Sequence, residues 1–391
     1  MENKNIKICL FSDTFCDANG VSRFLQDMAK ESLNANVELN IISSTVKTYC
    51  EKLQNVHIFK PSLKIKMPFY KELDLVLPPI FKIAKKVKEL QPDIIHISTP
   101  GFVGIVGLFI ALKNKIPVIG TYHTDFPMYI YANTNSKLAK NITKFYMKLF
   151  YKKFSSLITR SNEYMKVIHE DILYNKEKIF FLQPGTNIKT FSPKYYCKNL
   201  WDEYNIPDKA TKFLYVGRVT KEKNLDQFFE IWKSFYMQSK KKESYLIIVG
   251  TGELEKYKEL LFQYNIIFLG HKGKEELSTL YASATMLVFP STTDTLGQVV
   301  LESLASSTPV IVTNKGGPCG IVSNAENQVG FVLDIEQKES WIKLLKKIEN
   351  NKIDLNLLGK NSYLYSKNFS ISNTFESFIN IHLETLAIKK G

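Results

Sequence analysis

The sequence has no uninterrupted apolar run of about 18 residues, the minimum that a membrane-spanning helix requires. Its first residues, MENKNIKICLF, lead directly into a strand-like run. They lack the basic segment, longer apolar core and small-residue cleavage site of a secretory signal. We therefore expect a cytoplasmic protein without a membrane span.

Cysteine is scarce, and its spacing is irregular. The five cysteines form no CxxC pair, and their odd number leaves one without a partner. This pattern predicts reduced thiols in a cytoplasmic protein and argues against a metal site built on cysteine. The cysteines are Cys9, Cys16, Cys50, Cys197 and Cys319.

The composition is that of a globular protein with a strong positive charge. The chain has 391 residues, of which 45% are hydrophobic and 23% charged, which predicts two folded domains. The net charge of +14 suits three kinds of partner: nucleic acid, an anionic bilayer or a phosphorylated small molecule. A lysine-rich solvated surface is the alternative explanation.

Strand-like and helix-like patterns alternate along the chain, and this alternation occurs twice. Several strands, such as 245–249 and 309–313, are apolar throughout, as in parallel sheets covered by helices on both faces. The predicted strands are 6–11, 37–43, 94–98, 117–121, 156–160, 179–183, 212–217, 245–249, 266–269, 285–289, 309–313 and 330–333. The pattern predicts an α/β protein with two Rossmann-like domains facing across a cleft.

The boundary between the domains is predicted in an aperiodic stretch near 192–210, which contains two prolines. We expect a first domain over 1–192, which binds the acceptor, and a second domain over 210–370, which binds the donor. A final helix, about 371–388, is expected to pack back on the first domain.

A glycine and two cations follow the first strand of the second domain. Gly217 permits a sharp turn, while Arg218 and Lys223 lie on the loop before the next helix. Arginine offers a fork to phosphate oxygens and lysine a mobile point charge, so the pair is suited to a polyanion. Two unrelated surface cations are the alternative.

Two acidic residues flank the start of a later helix in the same domain. Asp294 is expected to meet sugar hydroxyls, and Glu302 to bond a ribose diol if it faces the cleft. The helix start over 295–297 offers free N–H groups to a phosphate. Acidic residues beside a helix start are also ordinary caps. This donor-binding segment comprises Thr295, Leu296 and Gly297.

Two further glycine-containing loops follow predicted strands. Gly250 belongs to a GTG turn, which permits close approach to a base or ribose but is equally compatible with a plain turn. Gly20 opens the first helix, where its missing side chain leaves room for a phosphate or an acceptor.

A polar cluster follows the predicted strand 117–121. His123 is expected at the carboxyl edge of the sheet, where it would meet the donor sugar. Asp125, with Tyr122 beside it, is placed on the acceptor side, to accept from an acceptor hydroxyl or to fix the imidazole. A hydrogen-bonded loop histidine is the alternative.

The segment 137–154 predicts a basic amphipathic helix. Its apolar stripe can lie in a bilayer interface, or it can pack on the sheet and leave the lysines in water. The stripe contains Leu138, Ile142, Phe145, Tyr146, Leu149 and Phe150, and the lysines are Lys140, Lys144, Lys148 and Lys152. The basic loop 60–70 is a second candidate for membrane contact.

These motifs together resemble glycosyltransferase family 4, the retaining enzymes of the GT-B fold, over essentially the whole chain. The likeness rests on FSDTF at 11–15, HTDFP at 123–127, the Gly217-Arg218 to Lys223 element and TDTLG at 293–297 followed by Glu302. The sequence looks most similar to the branch containing GDP-mannose-dependent α-mannosyltransferases, sulfolipid synthase and diacylglycerol glycosyltransferases.

The resemblance implies roles for the residues of both domains. It places Arg218 and Lys223 on the donor diphosphate, Glu302 on the ribose, and Asp294 and His123 near the transferred sugar. Gly20 would lie close to the phosphates. It also implies that no metal and no other cofactor takes part. The family commonly has glutamate where this chain has Asp294, and GTN at 185–187 replaces its usual GVD.

The sequence therefore predicts a hexosyltransferase that uses a UDP- or GDP-linked sugar and a lipid or lipid-linked acceptor, at the inner face of the cytoplasmic membrane. A sugar-nucleotide epimerase or hydrolase of the same fold is one alternative, and a soluble or polysaccharide acceptor is another. A nucleic-acid-binding protein is a third, but the sequence has no recognition motif for nucleic acid. We therefore expect no nucleic-acid partner.

Overall fold

The computed structural model describes residues 6–17, 20–35, 37–47, 52–66, 74–160, 162–294 and 296–388. These residues form two compact units. The first contains residues up to Gln183 and returns at Ile371, and the second runs from Pro184 to Ser370. The predicted end of the first domain at 192 therefore lies inside the second unit. There the backbone N–H of Thr186 donates to the Phe369 carbonyl, which ties 184–192 to the end of the same unit.

The first unit is built on a parallel sheet of seven strands in the order β3-β2-β1-β6-β7-β8-β9. A short antiparallel pair, β4 and β5, lies outside this sheet. The strands are β1 Lys7–Phe11, β2 Glu38–Ser44, β3 Val56–Phe59, β4 Leu63–Lys66, β5 Asp74–Leu77, β6 Ile94–Ile97, β7 Val118–Tyr122, β8 Ser156–Thr159 and β9 Ile179–Phe181.

Helices cover both faces of this sheet. They are α1 Gly20–Ala35, α2 Ile80–Leu90, α3 Phe102–Asn114, α4 Phe126–Thr134, α5 Lys137–Tyr151, α6 Asn162–Glu170 and, from the end of the chain, α14 Ile371–Ile388. Two clusters of buried apolar residues fill this unit. The second cluster joins β1 and α1 to Phe375, Phe378 and Ile381 of α14.

Two buried histidines join α14 to the sheet. Nδ1 of His382 lies 2.6 Å from the Phe378 carbonyl, which can only accept, so this nitrogen carries the proton. Nε2 of His382 then accepts from Nδ1 of His96 on β6 at 2.9 Å. Nε2 of His96 accepts in turn from the Thr121 hydroxyl at 2.8 Å. Burial lowers the pKa of both rings, and with both rings neutral this chain of bonds fixes their tautomers.

The second unit has one parallel sheet of six strands in the order β12-β11-β10-β13-β14-β15. The strands are β10 Thr211–Val216, β11 Ser244–Val249, β12 Ile266–Gly270, β13 Met286–Phe289, β14 Val310–Thr313 and β15 Gly330–Leu333. The helices are α7 Leu225–Gln238, α8 Lys258–Phe262, α9 Lys274–Ser283, α10 Gln298–Ala305, α11 Gly317–Ser323, α12 Lys338–Glu349 and α13 Leu355–Ser366. A single cluster of buried residues packs both faces.

Both sheets reverse their strand order once. In the first sheet, β1 lies between β2 and β6, and in the second, β10 lies between β11 and β13. Ligands of open α/β sheets bind at the carboxyl ends of the strands beside such a reversal. The strand order therefore indicates where a site is expected in each unit.

Among the described residues, no helix is long and apolar enough to cross a bilayer. The cysteines differ from the expectation of reduced thiols in one case, because Cys16 is disulfide-bonded whereas Cys9, Cys197 and Cys319 are free.

Candidate active site

The strand reversal of the second sheet brings together residues that are far apart in the sequence. Lys223 follows β10 and Asp294 follows β13, and the Lys223 ammonium lies 2.8 Å from Oδ2 of Asp294. The Lys223 side chain is 9% exposed and the Asp294 side chain 27%. The ion pair therefore spans the reversal, at the edge where ligands of such sheets bind.

Arg218 lies on the same loop but pairs with a different acid. Its Nη2 is 3.0 and 2.8 Å from the two carboxylate oxygens of Glu222. Oε1 of Glu222 also lies 3.6 Å from the Lys223 ammonium. Glu222 thus lies within ion-pair distance of both of the cations assigned to a polyanion. Glu222 was not among the predicted site residues, although its position four residues after Arg218 is suited to an ion pair between them.

Two glycines bring the loops after β10 and β11 into contact. Gly217 and Gly250 have φ values of 154° and 132°. A Cβ atom on Gly250 would lie 1.9 Å from the Gly217 carbonyl oxygen, so no side chain fits there. The close packing of these two loops therefore explains why residue 250 is a glycine, and no contact with a nucleotide is needed to explain it.

The segment after β13 begins helix α10 through a left-handed glycine. Gly297 has a φ of 69° and caps the helix, and its carbonyl accepts from the N–H of Val300 at 2.8 Å. Leu296 lies just before it and is partly buried. Thr295, the third predicted member of this segment, lies outside the described residues. The positive end of α10 thus follows Asp294 directly.

Glu302 lies deeper than the sequence predicts. Its side chain is fully buried, and its Oε2 accepts from the Tyr281 hydroxyl of α9 at 3.0 Å. Tyr281 is also buried and meets Phe191 edge to face, with ring centroids 5.7 Å apart. The expected position facing a ribose therefore differs from the observed one, because α10 turns this side chain into the core.

The corresponding edge of the first sheet carries a second polar cluster. Asp13 follows β1, and its Oδ2 accepts from the Thr99 hydroxyl after β6 at 2.7 Å. Its Oδ1 accepts from the N–H of Val103 at 2.8 Å, so Asp13 caps α3. At this strand reversal a carboxylate already occupies the helix start. The motif FSDTF thereby has a structural role that sequence reasoning did not assign.

His123 follows β7 and is partly exposed, with Nε2 2.9 Å from the Ser98 hydroxyl after β6. Burial, and secondarily Arg160, lower the pKa of His123 to about 3. The ring is therefore neutral at physiological pH.

The neighbours of His123 have structural positions. Asp125 caps α4, since its Oδ1 accepts from the N–H of Met128 at 3.2 Å. Burial raises its pKa. Tyr122 is 1% exposed and packs edge to face on Tyr164, which places it in the core rather than on the acceptor side.

Helix α1 begins at Gly20, and in the described part of the chain no atom other than those of its chain neighbours and its own helix backbone lies within 4 Å of the position that a Cβ would take there. The space beside this helix start is thus open, as a close approach by a ligand requires. Among the described residues, no group of three or more histidine, cysteine, aspartate or glutamate side chains is arranged to hold a metal ion.

Helix α5 exposes most of its apolar stripe. Leu138, Ile142, Phe145 and Leu149 are 71%, 60%, 62% and 52% exposed, and Tyr146 is 38% exposed. Phe150 alone of the six turns inward, beside buried Met147 and Tyr151. The alternative in which the stripe packs on the sheet is therefore wrong for five of its six residues. The part of the basic loop at 67–70 lies outside the described residues.

Two family models match the chain. The one for Glycosyltransferase Family 4 matches residues 18–190, and the one for Glycosyl transferases group 1 matches residues 198–365. The two matches therefore lie one after the other, and together they include the residues named at both polar edges except Asp13.

Curated relatives agree with these matches. A sulfoquinovosyl transferase from Arabidopsis thaliana is 28% identical over 75% of this chain and 57% of its own length. An alpha-monoglucosyldiacylglycerol synthase from Streptococcus pneumoniae is 28% identical over 78% of this chain and 70% of its own. A GDP-mannose-dependent alpha-mannosyltransferase from Corynebacterium glutamicum is 27% identical over 69% and 62%. The chain thus spans less than two thirds of the plant and corynebacterial relatives.

Solved structures share the fold. A sucrose-phosphate synthase from Thermosynechococcus elongatus has a TM-score of 0.76 at 16% identity, covering 98% of this chain and 100% of that one. Anabaena HepE, in complex with UDP and glucose, has a TM-score of 0.72 at 17% identity, covering 97% and 99%. With its two parallel-sheet units and the matching family models, the chain belongs to the family 4, group 1 glycosyltransferases and has the GT-B fold.

Proposed function

We propose that the chain is a retaining hexosyltransferase that moves a hexose from a UDP- or GDP-linked donor to a lipid or lipid-linked acceptor without a metal ion. The observation that carries this proposal is the ion pair of Lys223 and Asp294 across the strand reversal of the second sheet. It puts a nearly buried cation and a carboxylate where a diphosphate and its sugar would lie side by side.

The cations of this edge would replace a metal at the leaving group. On donor binding, Lys223 and Arg218 exchange their contacts with Asp294 and Glu222 for phosphate oxygens. The positive end of α10 acts in the same direction. Fixed positive charge of this kind stabilises the negative charge that develops on a departing diphosphate. Asp294, released from Lys223, is then available to the sugar hydroxyls.

The anomeric configuration is retained because the acceptor hydroxyl attacks the same face of the sugar from which the diphosphate departs. The bond from the anomeric carbon to the diphosphate oxygen breaks as the bond to the acceptor oxygen forms. The acceptor hydroxyl gives its proton to the departing phosphate oxygen. Neutral His123 is assigned to the sugar side and takes up no proton. Glu302 is assigned to the ribose, and its burial behind Tyr281 means that a donor reaches it only after a local rearrangement.

Two observations support a lipid or lipid-linked acceptor. One relative is named as a monoglucosyldiacylglycerol synthase, and another, from Escherichia coli, as a galactosyltransferase acting on a diphosphoundecaprenol-linked sugar. In this chain, α5 exposes apolar side chains beside Lys148, which is itself exposed. We propose that α5 holds the enzyme at the inner face of the cytoplasmic membrane.

The test is a thermal-shift screen of UDP-, GDP- and ADP-sugars, followed by transfer assays with the donor that binds. Lys223→Ala and Glu302→Ala are expected to lower turnover at least about 100-fold while circular dichroism stays unchanged. Lys221→Ala removes an exposed lysine from the same turn and should leave turnover near normal. Near-normal turnover in Lys223→Ala would refute the donor-site assignment. Donor conversion that needs no acceptor would favour an epimerase or hydrolase.

A further inference from the structure

Three polar side chains line the carboxyl edge of the first sheet, one after each of three adjacent strands. Ser98 follows β6, His123 follows β7 and Arg160 follows β8. Tyr122 and Thr159 are paired in register, so His123 and Arg160 come next to each other on neighbouring strands. Phe24 of α1 packs against both: its ring centroid is 6.4 Å from that of His123, and the Arg160 Cζ lies 4.1 Å from it.

The Arg160 guanidinium has an unused binding edge. Its Nε and Nη2 are buried, and neither has a hydrogen-bond partner in the described part of the chain. These two nitrogens form one side of the guanidinium, and together they donate two parallel hydrogen bonds to a carboxylate or phosphate. Buried donors without partners are rare in folded proteins, and each one calls for an explanation.

The charges around Arg160 leave it positive. Burial lowers its pKa to about 9, and Asp27 of α1 opposes this shift, so the guanidinium remains charged at neutral pH. His123 is neutral at that pH. The start of α1 at Gly20, about one turn before Phe24, adds the positive end of a helix dipole. The cluster thus offers an anion a charged guanidinium and a helix start, with Asp27 as the opposing charge.

We propose that the Nε and Nη2 edge of Arg160, with His123 and Ser98 beside it, binds the phosphate group of a phosphate-bearing acceptor. The inference rests on the proposed transferase function and narrows it, because a neutral diacylglycerol has no group for this edge. The two nitrogens are covered in this structure, so an incoming phosphate has to displace the side chains over them.

The first measurement is binding of inorganic phosphate to the full chain, by calorimetry, against chloride at equal ionic strength. It is made in a Lys223→Ala background, which removes the competing anion site of the second unit. Arg160→Gln should weaken phosphate binding about 10- to 100-fold, as expected for the loss of two charge-assisted hydrogen bonds. Arg160→Lys keeps the charge but loses the fork, and should give a smaller loss.

The matched control is Lys166→Gln, which removes one exposed positive charge from α6 in the same unit and should not change phosphate binding. Equal phosphate affinity in Arg160→Gln and its parent would overturn the proposal. So would a phosphate signal that vanishes altogether in the Lys223→Ala background. Because this readout needs no transfer, it stands even if the transferase proposal fails.

The second measurement separates a lipid headgroup from free phosphate. With Lys223 intact, transfer is compared for mixed micelles of phosphatidylglycerol and of diacylglycerol. Arg160→Gln should raise the KM for the phospholipid about tenfold or more and leave the KM for the donor unchanged. Suppose that Arg160→Gln weakens the binding of inorganic phosphate, but that the parent and Arg160→Gln both transfer the sugar only to diacylglycerol. The site then binds free phosphate, and its assignment to the acceptor is wrong.

Discussion

The hydrogen bond from Tyr281 to the buried carboxylate of Glu302 is the residue-scale feature with the clearest energetic consequence. Tyr281→Phe removes the hydroxyl that donates to Glu302 and leaves a buried carboxyl oxygen with one hydrogen bond fewer. We expect the free energy of unfolding to fall by about 1–3 kcal/mol. Donor affinity should fall as well, because Glu302 loses its fixed orientation.

Urea titration and donor titration of the purified variant measure these two effects. Tyr257→Phe serves as the control, since Tyr257 is 39% exposed and its hydroxyl can bond to water. That variant should stay within about 0.5 kcal/mol of the parent. A Tyr281→Phe protein as stable as the parent would show that the hydroxyl contributes nothing to holding Glu302.

Residue types and spacing predicted which residues would gather at the second sheet, but not how each would be paired. Lys223 and Asp294 meet as their positions after β10 and β13 suggest. The burial of Glu302 and Tyr122 depends on how far a helix or strand is rotated about its axis. A register shift of one residue reverses the face of a strand, and the residues at 117–121 do not alternate between apolar and polar in a way that fixes the register.

At the scale of elements, α5 is the most exposed apolar surface that the sequence singled out. The double variant Phe145→Ser, Leu149→Ser should lower binding to anionic vesicles about tenfold or more, because two large side chains no longer enter the interface. Lys148→Gln should lower it about fivefold, which corresponds to about 1 kcal/mol for one cation near anionic lipid. Vesicle flotation measures both.

Phe262→Ser is the matched control, since Phe262 is 68% exposed on α8 of the second unit. Its flotation should equal that of the parent. If binding ignores lipid charge and survives the changes in α5, this helix is not the membrane contact.

The pair of histidines between β6 and α14 makes the attachment of this helix dependent on pH. Burial lowers the pKa of His382 to about 4 and holds the pKa of His96 well below its usual range. In the unfolded chain both titrate near about 6.5, so the unfolded state binds more protons below that pH. The contribution of the two histidines to the stability of the α14 attachment is therefore fully present above pH 6.5 and is lost as the pH falls toward 4.

Hydrogen exchange of the α14 amides, corrected for the intrinsic rate, checks this expectation. Protection should fall between pH 7 and pH 5 by up to about 1.4 kcal/mol per pH unit for each histidine. His382→Gln should flatten the dependence, whereas His271→Gln, an exposed position in the second unit, should not. Equal slopes in the parent and His382→Gln would remove His382 from the explanation.

Short strands made of apolar residues were predictable at this scale, and some helices in the polar connections between them were not. The predicted strands of the second domain correspond to β10 through β15 within one or two residues, because each is a short run of apolar residues. Helices α4, α11 and α13 were missed. α4 follows a capping aspartate but is only nine residues long, and α11 begins at a glycine followed by proline, a pair that also signals a turn.

At the scale of the whole molecule, each unit has hydrophobic clusters of its own. The residues assigned to the donor, apart from Gly20 and His123, belong to the second unit. We expect the matching nucleoside diphosphate to slow amide exchange chiefly in this unit, at the carboxyl ends of β10, β11 and β13. At 100 times the dissociation constant the gain is about 2.7 kcal/mol.

Amide hydrogen exchange measured with and without UDP or GDP tests this expectation. Lys223→Ala should abolish the slowing of exchange by the nucleotide. Equal protection of the β2 and β3 amides in the first unit would mean that the nucleotide does not act through the second unit alone.

The way the backbone leaves the first unit and returns to it has a consequence for biosynthesis. Phe375 and Phe378 of α14 complete the apolar cluster around β1, yet they are translated after the entire second unit. At about 5–20 residues per second, residues 184–370 take on the order of 10–40 s to make. During that interval the nascent first unit waits on the ribosome with one face uncovered. Translation stopped before residue 371 should thus release a folded second unit joined to an aggregation-prone first one.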